Sequence, residues 1–92
     1  MKFLVKTRVL QVDPERYRHY KGRDIPYAEV VFESDDSYFA ASVLGAERLQ
    51  RCKEAQISGK EIYCVFSVAG TQYEKDDGRT GYFNYINLKQ IL

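Results

Sequence analysis

The sequence predicts a mainly β fold, a five-stranded barrel with one short helix between its third and fourth strands. Three observations predict it. Apolar and polar residues alternate along five segments of the 92-residue chain, and Asp-, Gly- and Ser-rich turn signals separate most of these segments. Only residues 46–55 space their apolar side chains as an amphipathic helix does. A chain of this length forms one domain, 1–92, with a modest core.

The first predicted strand extends from Lys2 to Val12. Its β-branched and large apolar side chains first share one face and then, from Leu10 onward, take the opposite parity. The first set comprises Phe3, Val5, Thr7 and Val9. A change of parity inside one strand predicts a β-bulge or a strong bend, as at the corner of a small barrel. Asp13-Pro14 ends the strand.

The next two strands are predicted at 27–33 and 38–44, joined by turn residues 34–37. Alternate residues of each strand are expected to point into the barrel. The inward set is Ala28, Val30, Phe32, Phe39, Ala41 and Val43. Gly45 then breaks the pattern, and the helix over 46–55 places Leu49 and Cys52 on its apolar face.

The last two strands are predicted at 61–69 and 82–92, around a polar loop at 70–81 whose tip is Asp76-Asp77-Gly78. Ile86 and Leu88 are the expected inward pair of the last strand. Phe83 and Tyr85 share its opposite face. An exposed apolar stripe of this kind suits base stacking or a subunit interface, and the interface is favoured slightly.

Three strands, a helix and two strands is the element order of the Greek-key barrel called the OB-fold. In that fold, the loops after the first and fourth strands flank the ligand face. Here those loops are 14–26 and 70–81, the longest in the chain. An SH3-like barrel or another small α+β sheet remains an alternative, because element order alone does not determine topology.

Charge is distributed unevenly along the chain. Residues 1–23 contain seven positive side chains against Asp13 and Glu15, whereas residues 24–92 have a net charge of −4, for a total of +1. Basic and aromatic residues alternate over 16–23. Cations neutralise phosphates and rings stack on unpaired bases, so this pattern is typical of a surface that binds single-stranded nucleic acid.

The predicted binding residues fall into two chemical sets. The cations expected to contact phosphates are Arg16, Arg18, Lys21 and Arg23 in the first loop, with Lys6 and Arg8 on the first strand. The aromatic residues expected to stack are Tyr17, Tyr20, Tyr27, Tyr38 and, in the less basic second loop, Tyr73. The alternative for the first loop is a solvated hairpin whose tyrosines pack back on the barrel. For the second loop, a solvated hairpin is the favoured interpretation. The acidic residues Glu29, Glu33, Asp35 and Asp36 predict that the nucleic acid does not follow the second and third strands along their full length.

Several other functions are not expected. His19 is the only histidine, so one chain cannot assemble a Ser-His-Asp triad or a His-rich metal site. We therefore expect no enzyme activity, no metal and no cofactor. Cys52 and Cys64 are predicted to be reduced core thiols, with a disulfide as the alternative. With no membrane segment or signal peptide recognisable, the sequence predicts a cytoplasmic protein.

Four features carry a resemblance to a known family: the loop 16–23, the segment Gly22-Arg23-Asp24-Ile25-Pro26-Tyr27, the outward tyrosines and the closing strand 82–92. The chain resembles the small single-domain OB-fold proteins that coat single-stranded DNA in bacteriophages and mobile elements, such as the filamentous-phage gene five type. The resemblance implies a homodimer that binds single-stranded DNA through Tyr stacking and Arg or Lys contacts. It makes Tyr20 and Tyr27 candidate stacking residues. RNA is not excluded as a partner, although the aromatic motif of cold-shock domains is missing.

A different class of function is also compatible with the sequence. A small β-barrel could use its exposed tyrosines and Phe83 to bind a protein partner or to self-assemble, without any nucleic acid. The segment 24–47 contains no Lys or Arg, which favours this alternative. The near-neutral total charge is also a departure from the coating proteins, which are often more basic.

Overall fold

The structure is a computed structural model that describes residues 1–92. It contains six strands and one helix. In chain order these are β1 Lys2–Val12, β2 Arg16–Tyr20, β3 Arg23–Ser34, β4 Ser37–Leu44, α1 Ala46–Ser58, β5 Ile62–Glu74 and β6 Thr80–Ile91.

The strands close into a barrel. The sheet order is β1-β5-β6-β4-β3-β2, and an additional β1–β3 pairing joins its two sides into a ring from which β2 projects. All pairings are antiparallel except β4–β6, which is parallel. Strand β2 follows β1 along the same edge of β3, so the two act as one interrupted first strand. Counted in that way, the chain has the five-stranded order of the OB-fold, with the helix between the third and fourth strands, as the sequence predicts.

Two register shifts shape the barrel. The predicted parity change in β1 is a bulge between Val9 and Gln11, in the pairing with β3. A second shift in the β5–β6 pairing leaves Lys89 unpaired, which allows Leu88 and Ile91 both to be buried. Phe3 shares its predicted face with the buried Thr7 and Val9 but is 45% exposed, and it lies at the second residue of β1.

An aromatic cluster forms the centre of the core. Phe32 is fully buried, and its ring centroid lies 5.6 Å from that of Phe39 and 5.0 Å from that of Phe66. The edge-to-face geometry of the Phe32–Phe66 and Phe39–Phe66 pairs suits the aromatic quadrupole. Helix α1 adds Leu49, Cys52 and Ala55 to this core. The inward residues predicted for the strands now labelled β3 and β4 are confirmed: five are buried and Phe39 is half-buried. The five are Ala28, Val30, Phe32, Ala41 and Val43.

Helix α1 is longer than the sequence predicted. It continues to Ser58 and ends at Gly59, whose φ of 67° lies in the left-handed region and whose N–H donates to the Ala55 carbonyl oxygen. The predicted end at Ala55 was wrong because Gln56, Ile57 and Ser58 are exposed and add nothing to the apolar periodicity.

The predicted loops 14–26 and 70–81 are mostly strand. Residues 16–27 form a two-stranded ribbon, called the arm below, and residues 69–85 form a second ribbon. The radius of gyration is 14.9 Å, whereas a compact chain of this length has about 12 Å. Both ribbons are exposed on most of their surface, so neither shows the one-sided apolar alternation by which strands are recognised in a sequence.

Cys52 and Cys64 are buried and free, and the disulfide alternative is not formed. Burial raises the pKa of Cys52 to about 11. Burial also raises the pKa of Cys64 to about 12, with a smaller contribution from neighbouring Cys52. Both values exceed the 9.0 of an ordinary thiol. The thiols are therefore expected to be unreactive at neutral pH.

These raised pKa values predict a loss of stability at alkaline pH. Between about pH 9 and about pH 11, the unfolded chain releases thiol protons that the folded chain retains, so the free energy of unfolding should fall as pH rises. Urea unfolding followed at a series of pH values would measure this. The double variant Cys52→Ala/Cys64→Ala controls for other groups, and its pH slope should be shallower. Equal slopes for the two proteins would contradict the prediction.

Candidate nucleic-acid interface

The arm is built as a regular antiparallel ribbon. Five register pairs join β2 to the beginning of β3, from Arg16–Tyr27 at the root to Tyr20–Arg23 at the tip. The turn is Lys21-Gly22, with φ of 49° and 74°. Two successive positive φ values match the right-handed twist of a ribbon, and glycine at the second position adopts such a value without strain.

One face of the arm combines cations and rings. Directly paired residues share a face, so the root pair Arg16–Tyr27, the middle pair Arg18–Ile25 and the tip pair Tyr20–Arg23 all lie on one side. This side is called the basic face below. Tyr27 and Ile25 have the parity of the barrel's outer surface, so the basic face continues the outside of the barrel.

The opposite face of the arm has a different character. It presents Tyr17 opposite Pro26, and His19 opposite Asp24. His19 Nδ1 lies 3.1 Å from Asp24 Oδ1, so the arm's only carboxylate is engaged there. The structure therefore separates Tyr17 from Tyr20 and Tyr27, which the sequence had grouped with it.

The cations of the arm are free to bind an anion. None of Arg16, Arg18, Lys21 and Arg23 forms an ion pair. The Arg18 guanidinium lies 5.4 Å from the centroid of the Tyr27 ring, and Lys21 Nζ lies 5.3 Å from that of Tyr20. These contacts place each charge beside a ring while leaving its donors exposed to solvent.

The outer surface of the barrel beside the arm is acidic. Tyr27 pairs with Leu44, and the next outward pair is Glu29–Ser42. At the far end of the strands Tyr38, 67% exposed, pairs with Glu33. Glu33, the register partner of Tyr38, lies six residues after Tyr27 on β3. Six residues of a strand span about 20 Å. The structure thus places Tyr38 away from the basic face and beside a carboxylate.

Lys6 and Arg8 also lie away from the arm. Both contact Glu61, at 3.7 Å from Lys6 Nζ to Oε2 and 3.7 Å from Arg8 Nη2 to Oε1. Arg8 pairs in register with Glu33, at the far end of β3. Glu61 partly neutralises both charges, so Lys6 and Arg8 do not extend the basic face.

A groove of about 550 Å³ lies where the arm meets the barrel. Asp13, Glu15 and Glu29 line it together with Arg16 and Tyr27. Glu15 Oε1 accepts a hydrogen bond of 2.6 Å from Lys53 Nζ. The carboxylates in this groove repel phosphates, so a DNA strand that contacts Arg16 and Tyr27 is expected to stay outside the groove that these two residues border.

The second ribbon is aromatic and less basic. Tyr73 pairs with Gly81, which is buried, and a Cβ at Gly81 would overlap the Tyr73 ring. The Tyr73 ring therefore covers a glycine backbone. Phe83 and Tyr85 are 54% and 46% exposed and contact each other edge to face at 4.7 Å. The turn at 75–79 carries Arg79, whose Nε lies 3.3 Å from Asp77 Oδ2.

A second positive surface was missed in the sequence. A groove of about 250 Å³ lies between the beginning of α1 and the end of β6. Its charged lining comprises Arg48, Arg51 and Lys89, with Glu47 as the single carboxylate. This site, the end groove below, unites a helix and a distant strand. No local sequence pattern signals such a site, because only the tertiary fold brings the cations together.

No group of three or more His, Cys, Asp or Glu side chains is arranged to hold a metal ion. Helix α1 is neither long nor apolar enough to cross a membrane.

Comparison with solved structures shows the fold independently. The chain is similar to a mitochondrial single-stranded DNA-binding protein of S. cerevisiae, with a TM-score of 0.54 and 15% sequence identity. The similarity covers 100% of this chain and 92% of that protein. No protein-family model matches the sequence, and a search of curated proteins gives no match. At this identity the likeness shows the fold alone.

Proposed function

We propose that this protein binds single-stranded DNA without strong sequence preference, through the basic face of the arm. One observation carries the proposal: three arginines without ion pairs and two rings share one face of a ribbon, with Lys21 at its tip, beside the outer face of an OB barrel. The structural neighbour is itself a single-stranded DNA-binding protein. Fluorescence anisotropy of labelled dT oligomers, compared with duplex DNA and matched RNA, tests the proposal.

The arm would act in two steps. Its guanidinium groups capture the phosphates through long-range attraction, and Tyr20 and Tyr27 then stack on the unpaired bases. Neither step needs a base-specific hydrogen bond, so binding tolerates any sequence. The carboxylate of Glu29 limits how far the strand can follow β3. We propose a binding protein and no catalytic activity.

The stacking residues can be tested against a matched control on the same ribbon. Tyr27→Ala should weaken binding by about 1–3 kcal/mol, the contribution of one stacked base. Tyr17→Ala removes an equal ring from the opposite face of the arm and should leave the affinity nearly unchanged. Anisotropy titrations of the two variants give the comparison. Equal losses would contradict the assignment of the basic face.

We also propose that the protein acts as a homodimer of the kind that coats phage or mobile-element DNA. The exposed Phe83–Tyr85 pair on the second ribbon supports self-association, because exposed aromatic pairs favour an interface. Light scattering after size exclusion, over a range of concentrations, measures the oligomer. The cytoplasmic location stays a prediction from the sequence.

The same exposed pair favours the second candidate, a module that binds a protein partner and no nucleic acid. The two candidate functions differ in two readouts. A protein-binding module should show no anisotropy change with dT oligomers even at low salt, and its self-association should not respond to added DNA.

A further inference from the structure

We propose that the end groove binds phosphate groups of the same DNA strand that the arm captures. The strand would leave the basic face across Tyr27 and Leu44 and reach helix α1. This proposal rests on the proposed function. It adds a second anion site, formed by Arg48, Arg51 and Lys89, which no feature of the sequence had indicated.

The sheet register places the arm root and the end groove at one end of the barrel. Arg16 pairs with Tyr27 across β2 and β3, and Tyr27 pairs with Leu44 across β3 and β4. Strand β6 runs parallel to β4, with Ser42 beside Asn87. Two residues further along each strand lie Leu44 and Lys89. The arm root and the end groove therefore lie toward the same end of the barrel, on the neighbouring strands β3, β4 and β6.

A side-chain contact makes the connection direct. Arg48 Nη1 donates a hydrogen bond of 3.2 Å to the Leu44 carbonyl oxygen, so its guanidinium lies beside the strand that pairs with Tyr27. Leu44 is 38% exposed. Between the two cationic sites the surface thus presents a ring and an aliphatic side chain, which bases can contact.

The surface charges favour a DNA path from the arm to the end groove over a path along β3 and β4. Along β3 and β4 a strand of DNA would pass Glu29 and then Glu33. In the end groove, none of the three cations forms an ion pair. Arg51 Nη1 donates to the Ile91 carbonyl oxygen at 2.9 Å, which fixes this guanidinium at the groove. A guanidinium held by a single carbonyl still has donors for a phosphate.

The test compares two charge-matched variants with the wild type. Arg48→Gln/Lys89→Gln removes two charges from the end groove and leaves Arg51 and its structural hydrogen bond intact. Lys60→Gln/Lys75→Gln removes two unpaired charges elsewhere. Each protein is titrated with labelled dT oligomers of about 5 and about 16 nucleotides over a range of salt, within the site sizes known for OB-folds. Thermal melting confirms that the variants are folded.

With the longer oligomer, the magnitude of the log–log salt slope should be smaller by about 1.4 for the end-groove variant than for the wild type, at about 0.7 per lost phosphate contact. The slope for the shorter oligomer should not change, because the arm alone can hold it. An unchanged slope with the longer oligomer, or an equal change in the control variant, would overturn the end-groove proposal alone. No binding by the wild type at low salt would overturn the proposed function and this inference together.

Discussion

Removing the charges of the basic face is expected to abolish most of the affinity for single-stranded DNA. The variant Arg16→Ala/Arg18→Ala/Arg23→Ala loses three phosphate contacts, so the magnitude of the log–log salt slope should decrease by about 2. At about 50 mM salt the affinity should fall roughly a hundredfold or more, because each released counterion gains more entropy when the bulk salt is dilute. The three side chains are exposed and unpaired, so the fold should tolerate the change.

The control for this variant removes the same charge from other surfaces. Lys2→Ala/Lys60→Ala/Lys75→Ala eliminates three cations that lie outside the arm and the end groove. If the arm is the binding site, this control should weaken binding only slightly through the change in net charge. A similar loss in both triple variants would mean that binding depends on total charge and not on the arm.

Truncating the centre of the core is expected to have the largest effect on stability. Phe32 is fully buried and contacts the rings of Phe39 and Phe66. Phe32→Ala should lower the free energy of unfolding by about 3–5 kcal/mol, the sum of lost burial and an unfilled cavity. A domain of this size has about 5–15 kcal/mol in total, so the melting temperature should fall by tens of degrees.

The matched control is an exposed aromatic residue on a strand. Tyr82 is 67% exposed on the second ribbon. Tyr82→Ala should change the free energy of unfolding by about 0.5 kcal/mol or less. Urea unfolding of the two variants gives both values. A stable Phe32→Ala protein would show that the aromatic cluster is not the centre of the core.

Much of the barrel could be predicted from the sequence because its strands have one buried face. The alternation of Ala28, Val30 and Phe32 fixes the inward side of β3, and the parity change near Leu10 marks the bulge in β1. The two ribbons could not be recognised in this way. Arg16–Tyr20 is exposed along its whole length, so no apolar alternation distinguishes a strand from a loop.

The chemical composition of the candidate site could be read from the sequence, but its geometry could not. The alternation of cations and tyrosines over 16–23 indicated a binding surface. Only the β2–β3 register shows that Arg16, Arg18 and Tyr20 share a face from which Tyr17 is absent. The end groove could not be predicted from the sequence, because Arg48 and Lys89 come to line one groove only through the tertiary fold.

The most direct test of the central claim is a salt titration of wild-type binding to labelled dT oligomers, with duplex DNA as the comparison. We expect binding to the single strand, quenching of Tyr fluorescence, and a log–log salt slope of about −3 for the four cations of the arm. The three cations of the end groove would make the slope steeper by about 2 with the longer oligomer, and the variant Arg48→Gln/Lys89→Gln removes about 1.4 of this. No binding at low salt, or equal affinity for the duplex, would contradict the proposed function.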